Sequence, residues 1–299
     1  GIDHEVVDLR DEFYARVVQR FVREYAAGRT PNPCIICNHE LKFGLLLQRV
    51  LASGDDFMAS GHYARIVRGV SGWQLLTARD AAKDQSYFLY TLGQEQLAHL
   101  LFPLGDWLKV DTIAYARRRG LNAADRAQSQ DVCFVTDGDY RRFLHQHVPE
   151  LLRPGPIEDD HGRVLGEHRG LALYTVGQRE GLGIATGEPT YVLKLDAVRN
   201  ALVVGTASAL GQSALLAKDM TYTQGKPPDP ALALSAKIRS RSRPVGCRLQ
   251  PLEGGSARID LALPQRDIAP GQAVVVYNGD AVIAGGTIAC TLPRSDEVI

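Results

Sequence analysis

The 299 residues are 45% hydrophobic and 23% charged, the balance of a folded globular chain, and the length suits about two or three domains. Lysine plus arginine equals aspartate plus glutamate at 34 each, so global charge selects no partner and any nucleic-acid contact must come from local patches. No run approaches the ~18–20 apolar residues that span a bilayer, and no signal peptide is visible. Five cysteines, with only Cys34 and Cys37 close together, argue for working thiols in a reducing, cytoplasmic compartment rather than a disulfide framework.

Phe13, Val17, Phe21 and Tyr25 recur every four positions, joined by Val18 and Val22, which predicts an amphipathic helix over 11–27 stopped by Gly28. Thr30-Pro31-Asn32-Pro33 follows as a loop, because two prolines at alternate positions fix its dihedrals and forbid a helix through it. Cys34 and Cys37 sit at the end of that loop, ahead of a helix expected over 41–52. A strand is expected over 57–67 with a hairpin partner over 73–78, and helices over 94–101, 110–119 and 139–147. This alternation argues for an α/β layer in the first 140 residues. Pro154 and Gly155 open a glycine-rich texture of short strands and turns. From Ala231, alternating runs at 233–243, 257–263, 273–277 and 281–289 predict a closed or nearly closed small β-barrel. Asn278-Gly279 is the strongest hairpin signal. The expected domains are 1–140, 141–212 and 213–299.

Several features carry chemistry. Cys34 and Cys37 admit three readings: two thiols with no shared task, half of a zinc site that His39 and Cys133 could complete only by chance of folding, or a reactive thiol favoured by a helix N-terminus. Cys133 by itself reads as a buried strand cysteine, and Cys247 and Cys290 as packing residues. Lys237, Arg239, Arg241, Arg243 and Arg248 fall close together with no acid among them. In a strand, positions 237, 239, 241 and 243 share one face, and contact with backbone phosphates explains that better than a solvated face does. Arg117-Arg118-Arg119 with Arg126 reads as the exposed end of a helix. Core packing explains Tyr87 to Tyr90 but leaves Lys83, Asp84 and Gln85 unexplained. Gly61, in Ser60-Gly61-His62-Tyr63, is either a strand bulge or a place where a ligand approaches the backbone.

Together these segments resemble a known family. Gly28-Arg29-Thr30-Pro31-Asn32-Pro33-Cys34 with Cys37-Asn38 and Leu41-Lys42-Phe43 is similar to the tRNA-specific 2-thiouridylases. So are Ser60-Gly61-His62-Tyr63-Ala64-Arg65, Lys83-Asp84-Gln85-Ser86-Tyr87-Phe88-Leu89, Asp131-Val132-Cys133-Phe134, Thr175-Val176-Gly177-Gln178-Arg179-Glu180-Gly181-Leu182-Gly183 and Pro270-Gly271-Gln272, in order and across nearly the whole chain.

The resemblance implies a catalytic domain of the adenine nucleotide alpha hydrolase-like, PP-loop type, then a small mixed β domain that contacts tRNA, then a C-terminal β-barrel. It implies a sulfurtransferase that thiolates C2 of the wobble uridine of tRNA. ATP, with Mg2+, adenylates the C2 oxygen, and a persulfide delivers the sulfur. No tightly bound cofactor is implied, and the partners are tRNA and a persulfide-carrying sulfur-donor protein, with no membrane. Residue by residue, Cys133 matches the persulfide-bearing cysteine and Cys37 the other catalytic thiol, the two forming a disulfide as sulfur is released. Gly61 matches a position near the adenine nucleotide. Asn32, Pro33 and Cys34 match the loop against the target base, and Lys83, Asp84, Gln85, Arg239 and Ser240 match tRNA contacts. Cys34 stands where relatives often carry aspartate, so the resemblance does not make it essential. The family's nucleotide-binding loop, Ser-Gly-Gly-x-Asp-Ser, is absent from these residues. The resemblance therefore implies an N-terminally incomplete sequence that cannot adenylate tRNA alone, or a remnant that binds tRNA without chemistry.

Overall fold

The structure, a computed structural model, describes residues 2–122, 132–135 and 138–293. Arg126 and Asp131 lie outside the described residues. Arg10–Phe13, Tyr14–Val18 and Gln19–Ala26 run on as one helix, α1, with a π-helical middle turn and Val17, Val18, Phe21 and Tyr25 buried. Gly28 ends it in the left-handed region at φ 68°, as predicted.

The next helix corrects the expectation for the proline loop. Pro33–Ile36, Cys37–Leu46 and Leu47–Ala52 form one continuous helix, α2, so Cys34 and Cys37 lie in its first turns rather than on the loop. Pro33 occupies the first helical position, where a missing N–H costs nothing, and Asn32 before it stays extended at φ −114°. Proline here starts the helix instead of delaying it.

The strand expected over 57–67 is split at Ser60-Gly61-His62. Its first part, β1 (Met58–Ala59), pairs in parallel with β4 (Leu100–Leu101), which follows α3 (Gln94–Ala98). Its second part, β2 (Ala64–Gly69), forms the expected hairpin with β3 (Gly72–Thr77). Helix α4 (Lys109–Arg118) buries none of its residues, and α5 (Tyr140–His147) starts at Asp139, whose carboxylate caps the Arg141 and Arg142 amides. A four-stranded sheet of β5 (Gly155–Asp159), β6 (Val164–His168), β7 (Tyr191–Asp196) and β8 (Ala201–Gly205) follows in the order β6-β5-β8-β7. It closes over Ile157, Leu171, Val192, Leu202 and Val204.

The last six strands are β9 (Gln212–Tyr222), β10 (Leu234–Lys237), β11 (Val245–Leu252), β12 (Ser256–Gln265), β13 (Ala273–Asn278) and β14 (Ala281–Leu292). They run β13-β10-β11-β12-β9-β14, and pairing of β13 with β14 closes the barrel that the alternating pattern predicts. The β13–β14 turn is the expected hairpin, with Gly279 at φ 55° just after Asn278.

Strand β13 is buried on both sides. Val274 and Val276 point into the barrel among Leu215, Ile259 and Ile288. Ala273, Val275 and Tyr277 point outward into a core with Phe43, Leu47, Tyr87, Leu89 and Leu97. Period-2 alternation puts successive side chains into two different cores, each valine contributing about 1.5–3 kcal/mol. Polar bonds key the seam: the Tyr87 hydroxyl donates to the Ala273 carbonyl at 2.7 Å, and the hairpin β2–β3 joins the barrel edge where Ala281 pairs with Leu76.

The basic strand does not form as expected. Strand β10 stops at Lys237, and the Ser242 amide and hydroxyl donate to the Arg239 carbonyl at 3.1 and 2.9 Å, closing a tight turn ahead of Pro244. Alternation is lost there, so 237, 239, 241 and 243 do not share a strand face. Arg239 turns inward and its Nη2 donates to the Val176 carbonyl at 3.1 Å. Cys290 is exposed, not a packing residue, whereas Cys247 is half-buried and its thiol is pushed up to about 12 by burial.

Three segments quoted for the resemblance meet at one junction. The Thr30 amide donates to the Pro270 carbonyl at 2.8 Å, Gln272 Nε2 donates to the Thr30 carbonyl at 3.0 Å, and the Thr30 and Thr175 hydroxyls lie 3.5 Å apart. Gly271 is required there: its φ is 92° and a Cβ would meet the Thr30 nitrogen at 2.8 Å. Gly271→Ala is expected to cost about 1–3 kcal/mol in urea unfolding; an unchanged midpoint would show that the junction yields.

Candidate functional site

A cleft of about 1240 Å³ opens between the start of α2, the loop after β3 and the Lys237–Pro244 turn of the barrel. It exceeds the ~300–1,000 Å³ of ordinary small-molecule sites, so it has room for part of a polymer. Its lining includes Asn32, Pro33, Cys34, Gly61, Lys83, Asp84, Gln85 and Ser240, residues from four separate segments. Arg239 is the exception, lying behind Ser240 in a smaller hollow with Thr30, Thr175 and Gln272.

The cleft's charge is uneven. Among the described residues, Lys83, Lys109, Lys237, Arg241 and Arg243 line it against Asp84 and Asp280. Asp280 is paired with Arg65 at 3.0 Å. Asp84 is engaged internally, accepting from the Ala78 amide at 3.0 Å, the Ser86 amide at 3.2 Å and the Ser86 hydroxyl at 2.9 Å. Gln85 accepts from the Tyr63 amide at 2.9 Å through Oε1. Asp84 and Gln85 therefore shape the loop that carries Lys83, and the net positive lining suits an anion. Sequence reasoning passed over Lys109, whose ammonium lies 5.2 Å from the Tyr63 ring centroid, because nothing local marks it.

The thiols come from two elements. Cys34 is exposed to the cleft and Cys37, one turn on, is half-buried and faces an apolar groove lined by Val18, Leu41, Phe134 and Phe143. Cys133 sits in a turn closed by the Val135 amide donating to the Val132 carbonyl at 2.9 Å, and it is exposed, which corrects the reading of a buried strand cysteine. Its neighbour anchors it. The Phe134 ring packs edge-on against Phe21 at 5.2 Å, Phe13 at 5.8 Å and Phe143 at 5.4 Å. Val132 on the other side lines the cleft. Cys133 thus stands beside the start of α2, between Val132, which shares the cleft with Cys34, and Phe134, which shares the apolar groove with Cys37.

Both helix thiols are pushed up, against the expectation that the helix N-terminus favours thiolate. For Cys34 the concave protein wall is the main cause, followed by Cys133 and Cys37, with Lys42 opposing. For Cys37 burial again leads, Lys42 opposes and Cys133 adds. Desolvation outweighs the partial charge of the helix end. Among the described residues no group of three His, Cys, Asp or Glu is placed to hold a metal ion.

His62 beside Gly61 packs against Phe43 and Phe102 at 5.4 and 5.7 Å and shares a 2.7 Å hydrogen bond with the Ser60 hydroxyl. Burial, with help from Lys42, depresses it from 6.5 to about 4, so it is neutral at physiological pH. The unfolded chain then binds the extra proton between those values, and folding stability falls as pH drops from 6.5 towards 4. The loss is on the order of 3 kcal/mol. His62→Gln is expected to flatten that acid limb in urea unfolding; an identical slope would show that His62 is not its source.

Residues 1–137 match the tRNA methyl transferase HUP domain family, 141–206 its PRC-barrel domain, and 212–288 the aminomethyltransferase beta-barrel domain. The tRNA-specific 2-thiouridylase MnmA of Magnetococcus marinus is 50% identical over 289 residues, covering 96% of this chain and 81% of the relative. That of Moorella thermoacetica is 49% identical over 290 residues, covering 96% and 81%. That of Roseiflexus sp. strain RS-1 is 46% identical over 307 residues, covering 97% and 82%. The domain descriptions speak of methyl transfer and these relatives of thiolation. The relatives carry more weight, being similar over nearly the whole chain.

Proposed function

This chain belongs to the tRNA-specific 2-thiouridylase family, and from that premise we propose that it transfers sulfur to C2 of the wobble uridine of tRNA, in the cytoplasm. The observation that carries the reading is the convergence of Asn32, Pro33, Cys34, Lys83 and Ser240 on one positively lined cleft that also takes in Val132, the neighbour of Cys133, while Cys37 one turn on from Cys34 opens to the adjoining apolar groove with Phe134. Residues 1–140 form the catalytic part, 141–212 the central tRNA-contacting part and 213–299 the barrel.

In this reading the wobble nucleotide leaves its stack and enters the cleft. Unstacking costs a few kcal/mol, which Lys83, Lys237, Arg241 and Arg243 offset through backbone phosphates. Asn32, Pro33 and Cys34 face the base. Gly61, on the cleft wall, faces the adenine nucleotide. When bound, ATP with its Mg2+ turns the C2 oxygen into an AMP leaving group. Cys133 receives sulfur from a persulfide donor protein and presents its terminal sulfur to C2. Cys37 then attacks the inner sulfur of Cys133, which releases the thiolated base and leaves a Cys37–Cys133 disulfide. Phe134 holds Cys133 in place throughout, and neutral His62 supports the Gly61 wall without adding charge.

Cys133→Ser is expected to abolish 2-thiouridine, measured by nucleoside mass spectrometry, while tRNA binding by filter assay stays within about twofold, since the change leaves the basic lining intact and an exposed substitution is worth only about tenths of a kcal/mol. Thiolation surviving in that variant would sink the proposal. Arg243→Ala is expected to weaken tRNA binding and lower the slope of log affinity against log salt by about 1; an unchanged slope would remove Arg243 from the interface.

A further inference from the structure

The reading above sets Cys34 against the base and gives its thiol no chemistry. Three observations bear on that thiol. Cys34 and Cys37 are three apart in the first turns of α2, where Cβ atoms on one face are about 5–6 Å apart. A disulfide needs about 3.5–4.5 Å, so a small tightening of one turn suffices, and Asn32 makes no side-chain cap bond that would resist it. Secondly, the two thiols open to different spaces: Cys34 shares the cleft with Val132, and Cys37 shares the apolar groove with Phe134. Cys133, between Val132 and Phe134, therefore has a thiol neighbour on each side. Thirdly, Cys34 is exposed while Cys37 is half-buried.

We propose that Cys34 is a resolving thiol that resets the site after each transfer by moving the disulfide from Cys37–Cys133 to Cys34–Cys37. The inference rests on the sulfur-transfer reading, which leaves the Cys37–Cys133 bond. The Cys34 thiolate attacks Sγ of Cys37. A Cys34–Cys37 bond forms, the Cys37–Cys133 bond breaks, and Cys133 departs as thiolate and takes up the proton that Cys34 released to solvent. Two sulfurs are oxidised before and after, so no outside oxidant or reductant enters the step. Cys133 is free for the next persulfide, and the remaining disulfide faces the open cleft through Cys34, within reach of a dithiol reductant. Thiolate is the attacking species, so the exchange quickens as pH rises.

The test uses the full chain, wild type and Cys34→Ser, oxidised with diamide, equilibrated, alkylated with iodoacetamide and mapped by peptide mass spectrometry. Wild type is expected to carry Cys34–Cys37 with Cys133 alkylated on the order of tenfold more than in the variant, where Cys37–Cys133 is held. A Cys37–Cys133 bond in both proteins overturns the resolving role and leaves the sulfur-transfer reading standing. Absence of that bond from Cys34→Ser overturns the sulfur-transfer reading itself, and the resolving role with it.

Discussion

Burial of β13 on both faces is the constraint on which the rest of the molecule depends. Val274 and Val276 fill the barrel while Ala273, Val275 and Tyr277 fill the core beneath α2 and the Tyr87 turn. A barrel strand solvated on its outer face would leave the barrel loosely tethered. This one cannot leave without exposing two cores at once. The Tyr87 hydroxyl on the Ala273 carbonyl adds a directional bond within that apolar seam, where an unpartnered carbonyl would be costly.

The cleft is a consequence of that seam. The loop carrying Lys83 leads directly into Ser86 and Tyr87, and the Lys237–Pro244 turn continues from β10, the barrel neighbour of β13. Fixing β13 therefore fixes the distance between two basic segments that are far apart in sequence. The junction at Thr30, where Pro270, Gln272 and Thr175 converge, does the same for the loop entering α2. Polar residues that look like ligand contacts divide accordingly. Asp84 accepts three bonds from its own loop and Arg239 donates through Nη2 to the Val176 carbonyl, whereas Lys109 and Arg243 line the space itself.

The thiol site balances two opposed effects. A helix N-terminus stabilises a nearby thiolate, but here the protein around Cys34 and Cys37 excludes enough water that both are pushed upward, with only Lys42 resisting. A raised thiol pKa lowers the thiolate fraction near neutrality, so both thiols are less nucleophilic there than a free cysteine.

Most elements were legible in the sequence, because periodicity is a local property: the four-residue spacing from Phe13 to Tyr25, the alternation along β12 to β14 and the Asn278-Gly279 turn read directly. Several segments that line the cleft were legible as motifs through resemblance, Gly61 and the Lys83 loop included. What misled was also local. Two prolines read as a loop where Pro33 starts a helix, a basic alternating run read as a strand where Ser242 folds it into a turn, and Cys133 read as buried where it stands in an exposed turn. The sequence by itself determined which residues alternate, which turn and which carry sulfur or charge, since those follow from side-chain period and chemistry. Only the tertiary structure decided that Cys133 stands beside α2 and that Arg239 faces inward. Those outcomes depend on Phe134 finding Phe21 and on β13 finding two cores, contacts between segments too distant for any local pattern to encode.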